Sequence, residues 1–414
     1  MSMRRRPRVQ TVDESVRVSP LELFFDLVFV FALTQVTALM SHDLSVSGVV
    51  RGLLVLALLW WSWVGYAWLG NVVRADEGVV RLVMFGAMTA MFVLALTIPE
   101  AFDDLPGGLA GPVVFAAGAF MVRSLHLAMF WVASRDDPGL RRQLVRFTPS
   151  LLGGVALLLA ASQLDGAAQT AMWGAAVLAD YGGTMLGGAS GWRLKSGQHF
   201  AERHGLIFIV ALGESIVAIG VGVSALPISW PILLASALGL AVAASLWWAY
   251  FDVVALVAER VLVEARGEDR VRLARDSYSY LHLPMMAGVV LLALGLEMVL
   301  EYVGNPGEHE LSDTLAVLPL CAMYGGVALY LLAHVAFRLR NVRTVSVQRA
   351  IVALALLALI PLAAQVPALA ALGLLAAVTV GLIIFEMVHL ADARDRIRHG
   401  EAPVSELHGH ESRG

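Results

Sequence analysis

Cysteine is nearly absent from this chain: Cys321 is the only one in 414 residues, and it sits in an apolar run. A single thiol builds neither a disulfide framework nor a cysteine-based metal site within one chain, so Cys321 reads as a small buried hydrophobe. Charge is scarce as well. Only 15% of residues are charged against 58% hydrophobic, and the mean hydropathy is +0.75; a soluble domain has no interior large enough to hide that much apolar surface. The net charge of −4 offers no basic excess for nucleic acid. The G-x-S-x-G, Walker and dinucleotide-binding patterns are missing, and no two histidines stand at the H-E-x-x-H spacing. Neither a metal nor another cofactor is therefore expected, and ATP is not the expected energy source.

What fills the chain is apolar runs of membrane-crossing length, about 20 residues each. They begin near positions 21, 48, 80, 111, 147, 168, 204, 231, 277, 313, 348 and 367. This predicts an all-α polytopic membrane protein of about twelve transmembrane helices. Pro149, Pro361 and Pro367 make the fifth and eleventh runs the shortest and their limits the least sharp. The first run lacks a small-residue cleavage site, so it reads as a spanning helix rather than a removable signal. Residues 1–18 and 391–414 are expected to be poorly ordered polar tails, with one six-helix half over 19–189 and a second over 190–390.

Charge sorts the loops. With the N-terminus placed in the cytoplasm, all but Arg51 and Arg123 of the 29 Lys and Arg residues fall on the cytoplasmic side, tails included, as the positive-inside rule requires. The other side receives Glu100, Asp103, Asp104, Asp165, Glu308 and Glu310. The halves also share a weak register: Phe29 to Gln35 parallels Phe208 to Glu214, and Trp60-Trp61 parallels Trp247-Trp248. If that register is a duplication rather than chance among apolar helices, it is a parallel repeat of the kind found in transporters, with the functional site where the halves meet.

Ionisable side chains inside a bilayer cost about 2.5–3.5 kcal/mol each at a helix centre and mark protein interiors or pathways. Arg123, Asp180 and Glu214 fall deepest in their runs, followed by His126. Glu22, Asp26, His204, Asp252, His282 and His334 fall in the inner third. These ten residues are the candidate proton or substrate pathway. Glu22 and Asp26 stand four apart, on one helix face, where like charges need a cation opposite; Arg123 with His126 is expected to supply it. The two acids read either as a proton or cation relay or as a structural ion pair, with head-group contact for Glu22. Glu214, followed by Gly220 and Gly222, is either protonated glue or a titrating group on a wet path, and Asp180 is similar. His282, just before Pro284, and His334 read as ligands, proton acceptors or satisfied core residues. Glu386 and His389, three apart, read as a helix-end pair. Trp60, Trp61, Trp63 and Trp68, with Tyr66, are either a stacking surface for a flat or cationic substrate or packing groups.

Three stretches resemble the bacterial low-temperature-requirement protein A family: Ser19-Pro20-Leu21-Glu22-Leu23-Phe24-Phe25-Asp26, Trp60-Trp61-Ser62-Trp63 with Tyr66 and Asn71, and Glu202-Arg203-His204-Gly205-Leu206 leading to Leu212-Gly213-Glu214-Ser215. The resemblance covers about residues 19–390. It implies a multi-pass protein of the bacterial cytoplasmic membrane and directs attention to Glu22, Asp26, His204 and Glu214, with no settled substrate to carry over. With lipid as the surrounding medium, the leading expectation is a proton-coupled secondary transporter or permease for a small solute or for protons. The alternatives are an ion or proton channel, a membrane enzyme acting on lipid through Glu22, Asp26, His204, His282 and His334, or a sensor or scaffold. Association into a homo-oligomer is compatible with each.

Overall fold

The computed structural model describes residues 17–224 and 226–389. The two expected polar tails, apart from Arg17 and Val18, lie outside the described residues, as does Leu390. Among the described residues every regular element is a helix, the arrangement that satisfies all backbone polar groups in hydrocarbon. Two compact units are built from them.

One unit, over 17–42, 47–203 and 265–275, contains α1 (Pro20–His42), α2 (Val46–Val72), α3 (Gly78–Leu96), α4 (Gly111–Ala133), α5 (Pro138–Ala161), α6 (Gly166–Gly187) and the opening turns of α7 (Gly197–Val223). The other, over 43–46, 204–264 and 276–389, contains the rest of α7, α8 (Trp230–Phe251), α9 (Val254–Glu264), α11 (His282–Gly304), α12 (Val317–Val342), α13 (Val347–Ala363) and α14 (Ala368–His389). The short α10 (Gly267–Leu273) belongs to the first unit and runs into a π-helical turn at Ala274–Tyr280.

Each of the twelve expected runs lies in a helix. Among the described residues ten spans meet the length and apolarity of a membrane crossing; two of them join shorter elements, Trp230–Glu264 and Gly267–Gly304. The remaining two runs fall short for different reasons. α13 is apolar but has 17 residues, and α6 has 22 but dilutes its apolar residues with glycines, Gln169, Thr170 and Asp180. α5 is longer than its apolar run because Asp137 caps it and Pro138 starts it, eleven residues before Pro149. α7 likewise begins at Gly197, well ahead of the run at 204, which draws His199 and Arg203 into its first two turns.

Large apolar side chains point outward along these helices, among them Leu82, Leu178, Leu186, Ile351 and Val388, while Glu22, Asp26, Arg123, Asp180, Arg203 and Glu214 are buried. That inversion of the water-soluble pattern fits a lipid bilayer as solvent. Cys321 is half-buried rather than enclosed. In the second unit α11 and α12 touch backbone to backbone. A methyl group on Gly288 would lie 2.5 Å from the Gly326 carbonyl oxygen, and one on Gly326 would lie 2.6 Å from that of Gly288, so small residues set the packing distance there.

Candidate functional site

The first turn of α1 is a capping box. Ser19 N–H and its hydroxyl donate to Glu22 Oε2 at 2.9 and 3.1 Å, and Glu22 N–H returns a bond to Ser19 Oγ at 3.4 Å, with Pro20 as the first helical residue. One turn on, Asp26 projects from the same face. The first turns of α7 answer with the same spacing: His199 and Arg203 are also four apart.

The two pairs meet as a ladder. His199 Nε2 lies 3.1 Å from Glu22 Oε2, Arg203 Nη1 donates to Glu22 Oε1 at 3.3 Å, and Arg203 Nη2 donates to Asp26 Oδ1 at 2.8 Å. Trp63 on α2 donates its indole N–H to the same Asp26 oxygen at 2.7 Å, and the Arg203 guanidinium lies 5.2 Å from the centre of the Trp63 ring. Asp26 Oδ2 and Arg203 Nε are buried without a hydrogen-bond partner. Gly70 on α2 is required by this approach, because a methyl group there would collide with Glu22 Oε1 and come within 3.5 Å of Arg203 Nη1. Asn71 closes the site: its Oδ1 accepts from Lys195 N–H at 2.7 Å and Ser196 N–H at 3.2 Å, and its Nδ2 donates to Ser196 O at 2.6 Å. A cleft of ≈ 220 Å³, lined by Arg17, Ser19, Glu22, Arg74, Asp76 and His199, opens beside the ladder.

Two carboxylates facing one permanent cation leave a single negative charge, which one proton held anywhere on the ladder cancels. Arg203 is thus the cation opposite Glu22 and Asp26. Arg123 is not: its Nη2 donates to Asp180 Oδ2 at 2.7 Å on α6, both side chains being buried, and His126 bonds the Gly65 carbonyl through Nε2 at 3.0 Å. Beside the Arg123–Asp180 pair lies a cavity of ≈ 10 Å³, room for about one water, and Asp180 Oδ1 has no hydrogen-bond partner.

The second unit holds a different arrangement. His282 Nδ1 lies 3.0 Å from the Ser277 carbonyl and so carries a proton, leaving Nε2 to accept from Tyr250 OH at 2.8 Å. His204 stands edge-on to His282, ring centres 5.3 Å apart, and Tyr278 stacks on His282 at 5.3 Å. Arg349 donates to both Glu386 oxygens at 2.7 Å, to the Ala249 carbonyl at 2.9 Å and to His334 Nδ1 at 2.8 Å. Glu386 is therefore paired with Arg349 and not with His389, which is exposed and stacks on Phe385. Glu214 and Asp252 are buried in this unit.

The tryptophans of α2 are packing groups in large part. Trp60 stacks on Trp63, Trp61 on Tyr181, and Trp68 meets Phe200 edge-on. The residues that sequence reasoning missed are His199, Arg203 and Arg349. A basic residue near a helix end is indistinguishable from one that merely obeys the positive-inside rule, but the matched four-residue spacing of His199 and Arg203, and the Ser19-x-x-Glu22 box, were signals available in the chain.

Among curated proteins, an uncharacterised protein of Rhizobium meliloti (strain 1021) is 28% identical over 337 residues, which is 78% of this chain and 77% of that protein. No solved structure matches the chain. The family model for the bacterial low temperature requirement A protein (LtrA) matches residues 17–384, a stretch that holds the ladder, the cleft and Arg349 of the second unit but ends just before Glu386, and the chain belongs to that family.

Proposed function

We propose that the protein is a proton-coupled secondary transporter of the bacterial cytoplasmic membrane, with the ladder of Glu22, Asp26, His199 and Arg203 as its proton-coupling site. The observation that carries this reading is the charge count of that ladder beside an open polar cleft: the buried groups balance only with one added proton, and the cleft offers a route for it. A solute entering the same cleft can compete with that proton, which is the elementary condition for coupling. Both termini and the cleft lie on the cytoplasmic side in this reading. Its two exceptions to the charge rule are each neutralised, Arg51 by Asp103 at 3.0 Å and Arg123 by Asp180. Glu214 is assigned to the same pathway from its depth and burial. The two halves, 19–189 and 190–390, are read as a parallel repeat. A carboxylate on the last helix of each, Asp180 and Glu386, held by an arginine, supports that reading.

The test is purified protein in liposomes with a trapped pH dye, under an imposed potential, against a panel of small cationic and anionic solutes. Solute-dependent, saturable proton movement that Asp26→Asn and Glu214→Gln lose by about tenfold or more (1.4 kcal/mol) is the expected result. Solute-independent flux lost in the same variants identifies a channel instead. Flux equal to wild type in well-folded Asp26→Asn, or none with any solute, overturns the proposal.

A further inference from the structure

His199 is the member of the ladder that both touches a carboxylate and lines the cleft, and its ring is held by a partner whose orientation is fixed independently. Two backbone N–H groups, of Lys195 and Ser196, point at Asn71 Oδ1, so the amide cannot be turned round. Its Nδ2 therefore faces His199 Nδ1, at 3.4 Å. An amide nitrogen only donates, so Nδ1 must accept and the ring proton must sit on Nε2, where it is donated to Glu22 at 3.1 Å.

We infer that His199 is the proton-uptake site of the ladder and that Asn71 is its positioning residue, fixing the neutral ring as the Nε2–H tautomer with the proton aimed at Glu22. A second proton can bind only at Nδ1, where it meets the Asn71 donor, so loading the ring requires the Asn71–His199 bond to release. The charged and titratable groups around His199 are Glu22 from α1, Arg203 from its own helix, Arg74 and Asp76 after α2, Arg17 ahead of α1 and Lys195 ahead of α7. A proton donor in the cleft thus gives up its proton to Nδ1: one N–H bond forms on the ring as the donor's bond to that proton breaks, and the ring becomes a cation that keeps its Nε2–H bond to Glu22 and cancels the ladder's single negative charge. This inference rests on reading the ladder as a proton site, but its test does not require transport.

Full-length protein labelled with ¹⁵N-histidine, the His199 signals assigned by their loss in His199→Gln, is titrated from about pH 5 to pH 8, where an imidazole changes charge. The expected wild-type result is a neutral Nε2–H ring at the high end that becomes doubly protonated in one step. In Asn71→Ala, which removes the opposing donor, the doubly protonated form persists to a pH higher by about half a unit or more. An Nδ1–H tautomer in the wild type, a ring that keeps one charge throughout, or an unchanged midpoint in Asn71→Ala overturns the inference. If Asn71→Ala fails to fold, the wild-type tautomer and titration decide. A titrating His199 in a protein that moves no solute would leave this site standing and remove the transport reading; solute-coupled flux with the opposite tautomer would do the reverse.

Discussion

At the start of α1 two carboxylates share one arginine, whereas near the end of α14 one carboxylate has an arginine to itself. Arg349 uses all three of its nitrogens: both Glu386 oxygens, the Ala249 carbonyl and His334 take its donors at 2.7–2.9 Å. Arg203 makes a longer bond to Glu22, leaves Nε unused and faces one acid too many. A balanced buried pair is electrically closed and can be exchanged for hydrocarbon without loss of fold, while an unbalanced one stores a demand for a proton. On the proposed reading, the ratio of acids to permanent cations and access to a cleft, not residue type, separate structural from titrating ionic groups.

The comparison can be broken at its strongest point by removing the arginines. Arg349→Met leaves Glu386 buried alone and is expected to cost about 3–5 kcal/mol, most of it regained in Arg349→Met with Glu386→Leu, as thermal unfolding in detergent would measure. Proton coupling should survive that double change. Neutralising the ladder with Glu22→Gln, Asp26→Asn and Arg203→Met should likewise keep the fold and abolish coupling. Coupling lost in the α13–α14 double change, with the fold intact, would erase the distinction.

A smaller effect sharpens it. Gly70→Ala pushes a methyl into Glu22 and should cost about 1–3 kcal/mol as overpacking. Gly325→Ala on α12, where nothing lies within 4 Å, should be neutral or stabilising by up to about 1 kcal/mol. Equal effects in a melting comparison would mean that the ladder tolerates repacking.

The smallest effect comes from a solvent-facing pair. Asp137 caps α5 through Gly139 and Leu140 N–H, both at 3.0 Å, and bonds Arg193 at 2.8 Å. Partial burial alone would raise its pKa, but the Leu140 and Gly139 N–H groups and the Arg193 charge outweigh it and hold the carboxyl below its ordinary value. Asp137→Ala should cost about 1 kcal/mol at neutral pH. Because the folded value is lowered, that contribution is full above the unfolded value of about 4 and disappears as pH falls through the folded one. Parallel pH–melting curves for wild type and variant should therefore converge in acid.

The helices were legible because each needs a long apolar run, and such runs have few other uses. Their ends were not: α7 starts at Gly197 and α5 at Pro138, inside polar stretches where cap residues rather than hydropathy decide. The same blindness hid the partner of Glu22 and Asp26. Their shared face followed from a spacing of four, but Arg203 lay ahead of the apolar run at 204 and was sorted with loop cations. Arg123, deep in its run, was the more visible cation and the wrong one, since α6 brings Asp180 to it. Arg349 was hidden in the same way at the start of α13.

The π-helical turn at Ala274–Tyr280 has a further consequence. Leu281 N–H bonds the Asp276 carbonyl, five residues back, so this turn holds one residue more than an α-helix would. Seen as an insertion, that residue sets the phase of everything after it. Deleting one position between 274 and 280 would let the helix run on regularly, but it would rotate α11 by about 100° relative to the preceding segment. The Ser277 carbonyl and the Tyr278 ring would then no longer face His282, and Tyr250 would lose its acceptor. The length of this loop-free connection is thus part of the site's chemistry, and a one-residue change in it is equivalent to replacing several side chains at once.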